Sequence, residues 1–280
     1  MQQLKDLWQG VVRYPWKTSG YIFTAFSVLF TIIKGITHFI PGFKIEGPTA
    51  FVIVILVSLC FGLKKVWKPS TVDIKVANTN TIIEVLFGDI FTQDGIRAIA
   101  VTEFFDSKLG KPVSDKSLHG IFIKKCFGGH SEPFDKQVEV ELRGVTSTNV
   151  AKSEGKSKRY PIGTSALITA NQDQYLAFAF AKADPNTCKA YSDVTMMWVA
   201  LNQLWQRVRI ESGGHPFNLP LVGSGLSGLG LPTRDLLNLI ILSAITETKA
   251  KQITPKIRIV LHRDRFDDLD LREVQANWKA

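Results

Sequence analysis

The sequence predicts an α/β protein in two parts: an N-terminal hairpin of two transmembrane helices, then a three-layer α/β domain with a mixed sheet. Three observations predict this. Two long apolar runs stand back to back near the start, strand-like and helix-like segments alternate over the rest, and the basic charge is concentrated at the apolar end. Residues 1–68 carry eight Lys/Arg and two acids, +6 of the net +9 of the 280 residues. The remainder, at +3, offers no basic groove of the kind that follows a phosphate backbone, so no nucleic-acid partner is expected. At 45% hydrophobic and 21% charged residues, wholesale disorder is excluded. Cys60, Cys126 and Cys188 lie far apart with no C-x-x-C pair. That argues against a disulfide framework or a structural zinc site, and fits a reducing, cytoplasmic setting for the globular part.

Residues 1–15 place Leu4, Leu7, Trp8, Val11 and Val12 at helical spacing, a short amphipathic helix suited to the inner membrane surface or to a neighbouring helix. Tyr21–Ile40 is nearly all apolar, interrupted by Lys34 and His38. Twenty helical residues reach about 30 Å, the hydrocarbon thickness of a bilayer. Pro41-Gly42 and Gly47-Pro48 bracket a turn, and Ala50–Leu63 is a second apolar run ended by Lys64 and Lys65. The spans are thus placed at about 20–40 and 48–65, within an anchor of residues 1–68. Arg13 and Lys17 precede the first span, Lys64, Lys65 and Lys68 follow the second, and the turn holds only Lys44 and Glu46. By the positive-inside rule both termini face the cytoplasm. Trp16, Tyr21 and Trp67 stand where interfacial aromatics belong. Lys34 either snorkels outward or faces a helix partner or pore. Two helices cannot enclose it, so the second option implies a homo-oligomer.

From residue 69 to 280 the elements alternate. Thr71–Ala77 and Thr81–Phe87 read as strands around an Asn78-Thr79-Asn80 turn, and Ile96–Thr102 as a short buried strand. Lys116–Phe127 and Phe134–Leu142 read as helices, and Lys152–Arg159 as a solvated basic loop. Gly163–Ala170 and Tyr175–Ala181 read as paired strands. Tyr191–Glu211 is an amphipathic helix whose stripe of Val194, Met197, Trp198, Leu201, Leu204, Trp205 and Val208 belongs to the core. Phe217–Val222 is a strand, Gly223–Gly230 a glycine loop, Pro232–Lys249 a helix, Lys256–His262 the last strand and Asp267–Trp278 the last helix. Such alternation gives an α/β sandwich of three layers.

The most informative local string is the glycine loop with Gly223, Ser224, Gly225, Leu226, Ser227 and Gly228, leaving a strand and leading to a helix. Its glycines let a ligand approach the backbone, and free N–H groups near a helix start favour an anion such as phosphate. A bare tight connection is the alternative. The string fits G-x-G-x-x-G, yet a Rossmann domain needs several strands after it, and only one follows; there is no G-K-[ST] for a P-loop. A second signal is Gly88-Asp89-Ile90 at a strand end, where the acid is placed to accept from an exocyclic amine such as that of adenine. Taken alone, an Asp there more often caps a turn. The histidines His38, His119, His130, His215 and His262 are scattered, with no triad and no metal spacing.

Together these features resemble the macro domain, an ADP-ribose-binding module, over roughly residues 71–280. Gly88-Asp89-Ile90 matches the place where that family sets an Asp on the adenine amine. The 223–228 loop matches the place where it cradles the diphosphate. The family's Asn-rich segment is replaced here by Thr102-Glu103-Phe104-Phe105-Asp106, with Glu103 and Asp106 in position to meet an amino-acid moiety. His262 and Phe266 stand where the family stacks an aromatic on adenine. A two-span anchor joined to such a module is similar to the membrane-tethered macro-domain effectors of the Thoeris anti-phage system. That resemblance implies a bacterial inner-membrane protein with no cofactor, and a functional partner in a TIR-domain enzyme. The enzyme makes the signal, a histidine conjugate of ADP-ribose. Binding of the signal is followed by homo-oligomerisation, membrane disruption and abortive infection. The chain would then be no enzyme; a membrane-anchored ADP-ribosyl hydrolase and a passive reader of ADP-ribosylated proteins are the alternatives.

Overall fold

The computed structural model describes residues 2–40, 42, 47–225 and 228–278, with side chains from residue 7 onward except residue 9. Lys44, Glu46, Leu226 and Ser227 lie outside the described residues. The chain divides into two compact units, residues 1–70 with 270–272 and residues 71–269 with 273–280.

The first unit holds α1 (Gln2–Arg13), α2 (Pro15–Phe39) and α3 (Pro48–Val66). Pro15 sits in the first turn of α2, where its missing N–H is an orphan in any case, so α1 stops and α2 starts within two residues. Both α2 and α3 are long and apolar enough to cross a membrane, with mean hydropathy 1.6 and 2.1 over their best windows. They run antiparallel: Phe26, near the middle of α2, meets Phe51 at the start of α3 edge-on with centroids 6.0 Å apart, and Ile22 lies against Gly62 near the end of α3. Gly62 has no room for a β-carbon there, so glycine sets the closeness of the two helices. Ser58 is buried at the same seam and returns its hydroxyl to Val54 O at 2.7 Å.

Among the described residues the second unit contains ten strands and five α-helices. In chain order these are β1 (Thr71–Lys75), β2 (Ile82–Phe87), β3 (Ile96–Thr102), α4 (Leu118–Phe127), α5 (Glu132–Glu141), β4 (Thr148–Asn149), β5 (Lys158–Arg159), β6 (Ser165–Ala170), β7 (Asp173–Ala183), β8 (Ala190–Tyr191), α6 (Val194–Glu211), β9 (Phe217–Pro220), α7 (Thr233–Ala250), β10 (Lys256–Leu261) and α8 (Leu271–Asn277). The main sheet runs β1-β2-β10-β9-β3-β7-β6, with β8 on the end of β7. β2, β10, β9, β3 and β7 are parallel; β1 and β6 close the two edges antiparallel. The sheet is mixed, as expected. Its central strands β9, β3 and most of β7 are buried on both faces, with Ala98 and Ile99 of β3 fully enclosed. On one face Ile99, Val101, Tyr175, Ala177 and Ala179 pack with Phe122, Ile123, Phe134 and Val138 of α4 and α5. α6 and α7 pack together, and Trp205 of α6 meets Phe217 of β9 edge-on and donates its Nε1–H to Ser243 of α7 at 3.1 Å.

Three expectations change. The β6–β7 connection is only Asn171-Gln172, both with positive φ (51° and 68°), the two-residue turn that matches strand twist. The strand from Phe217 ends at Pro220 rather than Val222, because proline brings no N–H to the ladder. The 152–159 segment is solvated only in part: Ser153, Gly155 and Ser157–Arg159 are exposed, but the side chains of Lys152 and Asp106 are each 2% exposed and form an ion pair at 2.6 Å. The Lys156 N–H gives Asp106 a second bond at 2.7 Å, and the Lys152 ammonium lies 4.0 Å from the Phe104 ring centroid. Lys158 and Arg159 leave the loop altogether and pair as β5 with β4. Breaking the ion pair from one side strands a buried charge. Lys152→Ala should therefore cost about 3–5 kcal/mol, whereas Lys158→Ala, at an exposed position, should change stability by about 0.5 kcal/mol or less. Urea unfolding of the two variants checks this; equal small effects would return the segment to solvent.

Candidate functional site

Parallel pairing places the ends of four neighbouring strands at one edge of the sheet. β2 and β10 are in register through Phe87 and Leu261, so Gly88 and His262 follow side by side, and Gly88 N–H donates to Leu261 O at 2.9 Å. β10 and β9 stay paired to Val260 and Pro220, after which the chain enters the glycine loop. β9 and β3 pair only at Ile96–Phe217 and Arg97–Asn218. Beyond that point a cleft of about 850 Å³ is lined by Ala100–Thr102 of β3, Pro220–Gly225, Phe180 and Ala181, Pro112–Ser114, Lys116–His119 and Cys188–Ala190. A crevice at the carboxyl end of parallel strands that part is the usual ligand place in an open α/β sheet.

The glycine loop forms one wall. Gly223 has φ +84°, and a β-carbon there would stand 2.8 Å from Leu229 and 3.1 Å from Leu236, so only glycine fits. The loop is pinned by Leu229 N–H to Gly223 O at 3.0 Å and by Ser224 Oγ to Leu221 O at 2.9 Å. A β-carbon on Gly225 would meet nothing within 4 Å. Gly228 is tight, its β-carbon position 2.8 Å from Gly225 O. Pro232 is the N-cap, with ψ 148°, and not the first helical residue; α7 begins at Thr233.

Asp89 caps the single 3₁₀ turn Ile90–Thr92. Its Oδ1 accepts from Phe91 N–H at 2.9 Å and its Oδ2 pairs with Lys125 at 3.0 Å. Partial burial pushes the carboxyl upward, but the Phe91 N–H, Lys125 and His262 outweigh it and hold Asp89 below the usual carboxylate range. Ile90 is buried and anchors the turn. The His262 side chain is 75% exposed, while Phe266 is buried edge-on against Phe87, centroids 5.1 Å apart. Of these two aromatics His262 presents the open face.

The 102–106 segment turns inward after Thr102. Phe105 takes φ +51° and its N–H bonds back to Thr102 O at 3.0 Å; Phe104 and Phe105 are fully buried. Asp106 has both oxygens engaged by Lys152 and Lys156. Glu103 is 5% exposed and lines a separate cavity of about 330 Å³ with Arg159, Tyr160 and Lys182. Desolvation raises its pKa against the pull of Arg159 and the Ala183 N–H. The structure thus brings Thr102, Gly223, Ser224 and Gly225 to the cleft. Gly88, Asp89, Ile90 and His262 stand at the same sheet edge, whereas Phe104, Asp106 and Phe266 belong to the interior.

Two buried polar atoms at the cleft residues lack a hydrogen-bond partner: Thr102 Oγ1 and His119 Nε2. Buried polar groups are otherwise nearly always paired. His119 was one scattered histidine in the sequence; its role is visible only once α4 is packed. It is 6% exposed and neutral, its pKa pushed down to about 3 by desolvation, with Lys156 acting in the same direction. Between about pH 6.5, where an unfolded histidine titrates, and pH 3 the unfolded state holds a proton that the folded state does not, so stability falls as pH falls. From pH 7 to pH 5 the loss from this group should be about 2 kcal/mol. Urea unfolding at the two pH values should show a smaller loss in His119→Gln than in the unaltered chain; equal losses would mean that His119 titrates normally.

The sequence model for the macro domain of the Thoeris protein ThsA matches residues 83–262. No curated protein matches the chain. Among solved structures, the Oceanobacillus iheyensis macrodomain with ADP superposes with a TM-score of 0.51 at 10% identity, over 74% of this chain and 95% of that one. The same macrodomain with MES bound gives 0.52 at 10% identity, over 74% and 96%. A variant of it with ADPR gives 0.50 at 12% identity, over 74% and 97%. Identity this low speaks to the fold, and the fold is that of a macro domain. The match to the ThsA sequence model, from β2 to the residue after β10, covers more than half of the chain, and the protein therefore belongs to the Thoeris ThsA macro-domain family.

Proposed function

We propose that this chain is an anti-phage effector that binds an ADP-ribose-derived nucleotide in the cleft and then disrupts the bacterial inner membrane through its two apolar helices. The observation that carries this reading is the cleft itself. A pinned glycine loop forms one wall; at the same sheet edge, beyond β10 at the end of β2, stands a carboxylate held below the usual range, with an exposed imidazole near it. Backbone N–H groups suit a diphosphate, Asp89 an exocyclic amine, and His262 the face of a base. The ADP and ADPR carried by the structural neighbours support the same ligand class. In this reading a TIR-domain enzyme supplies the signal, a histidine conjugate of ADP-ribose. Thr102 and His119 then meet the part of the ligand beyond the diphosphate, in place of Glu103 and Asp106. Both chain ends lie in the cytoplasm and the 41–47 turn lies outside.

Binding is tested by calorimetry of the full chain in detergent with ADP-ribose and with its amino-acid conjugates. Asp89→Ala should weaken binding by about 1.5–3 kcal/mol, the worth of a charge-assisted hydrogen bond. Gly225→Val should abolish binding without unfolding the protein, because Gly225 lines the cleft and a β-carbon there meets nothing within 4 Å. Unchanged affinity in both variants would place the ligand elsewhere. Release of free ADP-ribose from a modified substrate would instead favour the hydrolase.

The membrane step is tested in cells. The chain should stay in the pellet on alkaline carbonate extraction. Cells should take up an impermeant dye only when the nucleotide is present. A chain lacking residues 1–68 should keep nucleotide binding and lose dye uptake, while Gly225→Val should lose both. Killing by the truncated chain would move toxicity into the macro domain.

A further inference from the structure

α2 carries two different faces. Thr18, Ile22, Ala25, Phe26, Leu29 and Ile33 are covered or partly covered within the helical unit. On the opposite side, at 100° per residue, stand Lys17, Gly20, Thr24, Ser27, Thr31, Lys34 and His38. These seven follow one another at alternating steps of three and four residues, a heptad spacing without a break. All are exposed except Ser27, which is half-buried. Thr24 and Thr31 return their hydroxyl hydrogens to Gly20 O and Ser27 O, each at 2.8 Å, which satisfies the donors. The oxygen lone pairs, Lys34 and His38 remain on the outer face. Hydrocarbon does not solvate such a row, whereas protein or water does.

What covers the row follows from its spacing. A 3.6-residue helix drifts away from a partner over this length, and a strict seven-residue repeat keeps one stripe on the axis of a left-handed bundle. The α3 partner already occupies the far face, so the covering element is the same stripe of further copies. Its two charges are both lysines, Lys17 toward one end and Lys34 toward the other. Identical cations repel when packed dry, but not across water.

On the reading that α2 spans the membrane, we infer that copies of this chain assemble in parallel with these stripes around a common water-filled lumen. Hydroxyls line its middle and cations line its two mouths, and it therefore passes anions in preference to cations. The membrane activity of the protein is then a selective conductance and not a general loosening of the bilayer.

The test uses the full chain with Cys60, Cys126 and Cys188 replaced by Ser and single cysteines placed at Thr24, Ser27 or Thr31, or at the lipid-side Ile32 and Ile53. Membranes are treated with an anionic, impermeant thiosulfonate, with and without ADP-ribose. The three stripe positions should react at least tenfold faster than Ile32 and Ile53 in at least one condition. In planar bilayers across a KCl gradient the reversal potential should lie on the anion side, and Lys34→Glu should move it toward the cation side. Recovery of the chain in the carbonate supernatant overturns the membrane reading, and this inference with it. A membrane-retained chain whose stripe cysteines react no faster than the two controls overturns the lumen alone. So does a conductance without charge preference that Lys34→Glu leaves unmoved.

Discussion

The site exists because two parallel strands stop pairing. β9 and β3 share two residue pairs and then part, and the cleft fills the space between their carboxyl ends. Asn218, fully buried, donates its side-chain amide to Asp94 O at 2.7 Å and Ile96 O at 3.1 Å, tying the strand beginnings together where they are still close, while β9 beyond Asn218 stays paired only with β10, up to Pro220. The strands are thus clamped at one end and released at the other. Loop 223–230 has to turn in the space this leaves, which is why Gly223 adopts a left-handed φ against Leu229, Leu236 and Phe180.

Buried polarity divides into two kinds around that gap. Asp106 is saturated: a lysine side chain and a backbone N–H from the 152–156 loop occupy its oxygens, and Gly155 passes so close that a β-carbon would strike the carboxylate. Such a group organises the fold and has nothing left to offer a ligand. Thr102 and His119 are the opposite, buried at the cleft with an atom unpaired. An unpaired buried atom costs stability, and its persistence at a concave site is what a binding surface requires.

The alternation of elements was legible because the interior strands are apolar and short while the helices carry long stripes. Ile96–Thr102 was bounded by sequence as it is in the fold. The meeting of Gly88-Asp89-Ile90 with the glycine loop at one sheet edge was legible through the macro-domain resemblance and not through composition, since strand order is a long-range property. The burial of Lys152 was not legible. KSEGKSKR looks solvated in isolation, and the carboxylate that draws it inward lies 46 positions away in sequence. Asp106 and Glu103 part for the same reason: beyond the left-handed turn at Phe105 the first is drawn to Lys152, while the second lines a cavity of its own. His119 gave no signal, because neutrality by burial depends on the packing of α4 against Phe134.

A nucleotide cleft and a membrane helix become one device only through free energy. A ligand moves an equilibrium by the difference between its affinities for two states, and moving a switch from 1:99 to 99:1 takes about 5.5 kcal/mol. A lone subunit would need that whole difference from a single cleft. Assembly lightens the demand. If each copy in a bundle binds one nucleotide, the differences add, and about 1.4 kcal/mol per copy, a tenfold preference, suffices for four copies taken as an illustration. Contacts of the size that Thr102 and His119 offer are then large enough to matter. The proposed effector therefore needs no dramatic closure of the macro domain: a modest preference in each cleft, summed over copies whose helices share one axis, gives a steep response to the signal.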